Sequence, residues 1–160
     1  MSMDEIGIGA NFSEDRKYRY CLWRIWDLSK PRVMFIGLNP STANESQNDN
    51  TITKVVKIAK NNGFGGVYMM NCWAYISTDP THLKVNPMSN EWNDNMISLI
   101  ASKCDEVVFA WGNFNIVKET GRDIELIEMF PTAKALHINK NGSPKHPLYC
   151  KDKSTLIPFK

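Results

Sequence analysis

The chain has 160 residues, 42% of them hydrophobic, enough for one cored domain and too few for two comfortable ones. Its 19 basic and 17 acidic residues are mixed along the chain for a net charge of +2, which disfavours nucleic-acid binding through charge alone. Backbone N–H groups and hydroxyls can still hold phosphates. The 4 cysteines, Cys21, Cys72, Cys104 and Cys150, are scattered without a C-x-x-C pair, so free buried thiols are expected rather than a metal or redox site. Met1 to Asn11 lacks the basic start and apolar core of a signal peptide, and no apolar run is long enough to span a bilayer. These features predict a single cytoplasmic domain over residues 1–160 that acts as a monomer, with no metal, no cofactor and no membrane partner.

Residues 1–16 are polar and contain glycine, and are expected to form a loosely held lead-in. Tyr18 to Trp26 alternates aromatic or aliphatic residues with Arg19, Cys21 and Arg24, the pattern of a strand, and a hairpin with the next strand is the economical expectation. That next strand, Val33 to Ile36, is wholly apolar and suits a parallel sheet buried on both faces. Gly37-Leu-Asn-Pro40 then forces a turn, because Gly tolerates angles closed to other residues and Pro40 restricts both itself and Asn39. The turn presents Asn39, Ser41 and Thr42 beyond the carboxyl end of the strand, where open α/β sheets place their ligands.

From Thr51 the apolar residues Ile52, Val55, Val56 and Ala59 fall on one helical stripe, with Asp49 or Asn50 as cap and Asn62-Gly63 as stop. Val67 to Met70 is a second buried strand ending on Asn71, so strand, helix and strand make a βαβ unit with parallel strands. Cys72 to Asn90 is a long connection of the kind that carries function. A helix from about Asn90 to Lys103 has its stripe at Trp92, Met96, Ile97 and Ile100 and leads into a third strand, Glu106 to Trp111. A helical region from Ile116 to Phe130, interrupted near Gly121, precedes a weaker fourth strand, Ala133 to Ile138. The sum predicts a three-layer α/β/α sandwich, with a mostly parallel four-stranded sheet and an N-terminal antiparallel strand. Asn39, Asn71, Trp111-Gly112 and His146 each follow a strand end, and in a parallel sheet those ends share one rim. His82 and His137 receive no role.

With Gly37-Leu-Asn-Pro40, a strand ending in Asn71, Val108-Phe-Ala-Trp-Gly112 and His146-Pro147 in that order, the chain resembles the uracil-DNA glycosylase superfamily. In finer detail, through Tyr18-Arg-Tyr, Trp26, Gly37 to Ala43, Asp49-x-Thr51 and His-Pro-Leu-Tyr149, it resembles the bacterial and phage family known as domain of unknown function 1643. The first resemblance implies a uracil-DNA-glycosylase-like fold and excision of a modified or deaminated base from DNA, as in base-excision repair. It also implies a role for each matched residue. Asn39 would place a water by its side-chain carbonyl, since an amide is no general base at neutral pH. His146 would donate a hydrogen bond to the departing base. Asn71 would read one edge of the base, backbone N–H groups around Leu38, Ser41 and Thr42 would bind a phosphate or the leaving base, and Gly37, Pro40, Trp111 and Pro147 would complete the base- or nucleotide-binding site. Leu148 or Tyr149 would be the wedge that flips the nucleotide out.

Departures from the superfamily pattern sharpen the alternatives. Leu148 stands where Ser is usual, and no aromatic follows Asn39 in the customary stacking place, leaving Tyr149, Trp73 or Tyr75 as candidates. Asp49 and Thr51 cap a helix whose loop faces the same rim, which makes them second-rank site residues. A noncatalytic nucleic-acid or nucleotide-binding module, or an enzyme acting on free modified nucleotides, remains as an alternative to the glycosylase.

Overall fold

The apolar runs from Val33, Val67 and Val107 become the middle of one sheet in the computed structural model, which describes residues 6–80 and 87–160. The described residues form seven strands: β1 (Gly7–Phe12), β2 (Arg19–Ile25), β3 (Arg32–Gly37), β4 (Gly66–Asn71), β5 (Glu106–Phe109), β6 (Lys134–Ala135) and β7 (Ile157–Pro158). Their order is β1-β2-β4-β3-β5-β6-β7, with β4, β3, β5 and β6 parallel and the outer pairings antiparallel. Four helices accompany them: α1 (Asn50–Asn61), α2 (Pro87–Ala101), α3 (Asn115–Glu119) and α4 (Arg122–Met129).

Along β3 alternate side chains enter different packing clusters, as a period of two requires. Val33 and Phe35 pack with Ile52, Val55, Ile58 and Ala59 of α1. Met34 and Ile36 pack with Ile97 and Ile100 of α2, Val117 of α3 and Leu126 of α4. Helix α1 begins where expected because Asp49, in extended conformation, accepts a hydrogen bond from the Ile52 N–H at 2.9 Å. Gly121, at φ 73°, separates α3 from α4 as the left-handed residue that glycine best tolerates.

Several expectations are corrected. The sheet has seven strands rather than five, since part of the supposed lead-in forms edge strand β1 and the last residues form β7. Strand β2 does not pair with β3. Strand β4 lies between them, with Leu22 opposite Met69 and Ile25 opposite Gly66. The chain can make this exchange because Gly65 tucks under the β2–β3 connection: its carbonyl accepts from the N–H groups of Trp26 and Asp27, and its own N–H donates to Pro31 O. The fourth parallel strand is only Lys134–Ala135. On α2, Trp92 is 64% exposed and Asn93 is fully buried instead. The centre of the connection from Cys72 to Asn90, with His82, lies outside the described residues, as do residues 1–5. Among the described residues no helix is long and apolar enough to cross a membrane.

Candidate functional site

The carboxyl ends of β3 and β4 are zipped together beyond the sheet: Cys72 N–H donates to Gly37 O at 2.8 Å and Trp73 N–H to Leu38 O at 3.2 Å. This pairing sets Asn39 and Asn71 on neighbouring strand tips. The Asn39 Nδ2 donates to the carbonyls of Pro40 (3.1 Å) and Ser77 (2.9 Å), so the amide is held by backbone. Its Oδ1 has no partner among the described residues and is free to accept. Asn71 is 3% exposed, and its Nδ2 is buried without a partner. Gly37 makes room for it, because a Cβ at position 37 would sit 2.9 Å from Asn71 Oδ1 and 2.7 Å from Met69 Cε.

The β4 tip is held from below. Asn93 Nδ2 donates to Asn71 O at 2.8 Å, and Arg122 Nε donates to Cys72 O at 2.9 Å. These bonds satisfy strand-end carbonyls that have no ladder partner. The inward place of Asn93 on α2 thus has a physical reason: its Nδ2 donates to the strand-end carbonyls of both Asn71 and Cys72.

His146 arrives from the far end of the chain and precedes a 3-10 turn, Pro147–Tyr149. Leu148 N–H donates to its Nδ1 at 3.2 Å, so in the neutral ring the proton lies on Nε2. Gly112, at φ 79°, lies beneath it, where a Cβ would come within 3.2 Å of His146 Cβ. Burial lowers the imidazole pKa, and the charge of Asp49 opposes that effect. The group therefore stays neutral in the fold at pH values where the unfolded chain begins to take up a proton. The sign follows: stability is full above the ordinary value of about 6.5 and is lost as pH falls below it. A urea midpoint measured from about pH 7.5 to about pH 5 should fall less in His146→Gln than in the wild type.

Asn39, Asn71 and His146 line one cavity of about 140 Å³, together with Gly37, Leu38, Pro40, Ser41, Asp49 and Thr51. The other candidates lie elsewhere. Trp73 and Trp111 are buried, and Trp111 packs on Phe109 and Phe159. Tyr75 stands edge-on to Tyr18, Thr42 is exposed outside the lining, and Pro147 is buried in its turn. Leu148 and Tyr149 are exposed, and Tyr149 lines a second, more open groove with Gly112, Asn113, Phe114, Asn139, Lys145 and His146.

Sequence reasoning missed Arg19. It is 2% exposed, lines the cavity, donates to Ala43 O at 3.2 Å and leaves Nε unpartnered. Burial lowers its pKa to about 10 against the favourable charge of Asp49, so it remains a cation at neutral pH. Its signal was an Arg between two tyrosines in an otherwise core-facing strand. Nearby Arg24 spends its five N–H groups on Asn48 Oδ1 and on the carbonyls of Gly9, Trp23, Asn44 and Gln47, pinning the segment that leads to Asp49.

Fold and site together define a mixed α/β protein with a polar cleft at the carboxyl ends of its parallel strands, furnished with two amides, an imidazole, a carboxylate and a buried guanidinium. Residues 19–148 match the family model described as Protein of unknown function (DUF1643), and the chain belongs to that family. Comparison with curated proteins and with solved structures finds no match.

Proposed function

We propose that the chain is a DNA glycosylase-like protein, related to the uracil-DNA glycosylase superfamily, which binds a flipped-out modified or deaminated base and hydrolyses its N-glycosidic bond. The fold reading that accompanies it is the three-layer sandwich of that superfamily. In support, Val33 and Phe35 meet α1 while Met34 and Ile36 meet α2, α3 and α4. The observation that carries the proposal is the convergence of Asn39, Asn71 and His146, from three separate parts of the chain, on one cavity of about 140 Å³. In this reading Asn39 Oδ1 orients a water, the Asn71 amide pairs with a base edge, and His146 Nε2–H meets the charge that develops on the departing base.

Incubation with oligonucleotides carrying a panel of altered bases, followed by detection of abasic sites, tests it. Cleavage that Asn39→Ala and His146→Ala both diminish supports the assignment. Tight binding without cleavage on every substrate would leave the noncatalytic binding module, a reading favoured by the amide at position 39 and by Leu148 in place of Ser. The groove beside the cleft, with Phe114, Lys145 and Tyr149, offers stacking faces and a cation to flanking nucleotides. Lys145→Ala should weaken oligonucleotide binding evenly across sequences and reduce the slope of log affinity against log salt by about 1. A flat salt dependence in the wild type would point to a free nucleotide instead.

A further inference from the structure

Hydrolysis needs a group that takes a proton from water, and the residues matched by resemblance do not supply one. Asn39 and Asn71 are amides. Arg19 is a cation, and the remaining polar side chains of the lining, Asp49 and His146 apart, are hydroxyls. The Nδ1 lone pair of His146 is taken by the Leu148 N–H, which leaves Nε2 as a donor.

We propose, resting on the hydrolytic reading above, that Asp49 is the general base of this cleft. Its Oδ1 is occupied by the Ile52 N–H at the start of α1, while Oδ2 has no partner among the described residues. No cation pairs with it directly among those residues. The carboxylate lines the same cavity as Arg19 of β2 and His146, and these two and Arg24 of β2 feel its charge. It sits on a helix end that is packed into the core, held by the loop that Arg24 pins.

The step balances without a further reactant. A water held by Asn39 Oδ1 gives a proton to Asp49 Oδ2 as its oxygen bonds to the anomeric carbon. The bond from that carbon to the base nitrogen breaks and its electron pair leaves with the base. The base anion accepts a hydrogen bond from His146 Nε2–H, and the proton on Asp49 is passed to solvent, from which the base is protonated. Position 39 thus places the water and position 49 deprotonates it, two tasks that one carboxylate could perform and that this chain divides.

The test compares the wild type with Asp49→Asn and Asp49→Ser on whichever oligonucleotide of the panel is cleaved. Both replacements cap helices about as well as Asp but remove the charge that favours the buried Arg19 and Arg24, so melting curves are taken first and cleavage is compared at a temperature where all three proteins are folded. Single-turnover cleavage should fall about 10²–10⁴-fold in both variants. Cleavage near the wild-type rate in both variants would overturn the role of Asp49 and leave the hydrolytic reading standing. A wild type that cleaves no member of the panel would overturn both.

Discussion

Replacing His146 by Ala is expected to slow base excision by about 10²–10³-fold, the cost of removing one donor aimed at a developing negative charge. The expectation rests on the tautomer. With Nδ1 accepting from Leu148 N–H at 3.2 Å, the neutral ring must carry its proton on Nε2, and burial favours that neutral form. A neutral donor loses little to solvation in the ground state and gains most when the base becomes anionic. His146→Gln, which keeps a donor of similar reach, should retain more activity than His146→Ala. Single-turnover rates separate chemistry from release, and a melting curve checks the fold. Because the ring is only partly buried and caps a single 3-10 turn, the stability cost should stay near about 1 kcal/mol.

Replacing Arg122 by Met should destabilise the fold by about 3 kcal/mol, measured by urea denaturation. Arg122 is 2% exposed, donates to Cys72 O at 2.9 Å, and pairs with Glu125 at 2.7 Å and Asp94 at 2.5 Å. Burial alone would lower its pKa, and the bonds to Asp94 and Glu125 outweigh that and hold it above the ordinary value. Asp94 and Glu125 reach water, so losing their partner costs them little, which sets the expectation at the low end for a broken buried pair. The rest of the loss is the Cys72 carbonyl left without its donor. That carbonyl adjoins Asn71, so the same substitution should also weaken ligand binding in the cleft.

The parallel core was legible because strands buried on both faces must be apolar throughout, as Val33–Ile36 and Val67–Met70 are. Helix α1 was legible through its stripe and its Asp49 cap. Strand β1 was not, because an edge strand needs no continuous apolar run, and its Gly9 serves a neighbour: a Cβ there would fall 2.3 Å from the Trp23 ring. The partner of β2 was misjudged because adjacency in sequence favours a hairpin, whereas the hydrogen bonds of Gly65 steer β4 into the place beside it. Trp92 fitted a helical stripe, but the demand of a strand-end carbonyl for a donor put Asn93 inward. The neighbouring positions of Asn39 and Asn71 were legible as a rule about strand ends, whereas His146 reaches the same cavity from a loop well beyond the end of β6 and not from a strand end. Arg19 was not, since its burial comes from a loop whose path no local pattern records.

The five bonds of Arg24 bear on how a ligand would be received. The loop that leads to Asp49, already fastened on its inner side, does not have to be frozen by the incoming molecule, so association forfeits little chain entropy there. The amide protons of Asn44, Ser46 and Gln47, which donate within that loop to Gln47 O and to Asn44 Oδ1, should accordingly show protection even without ligand, and saturation of the cleft should change it only slightly.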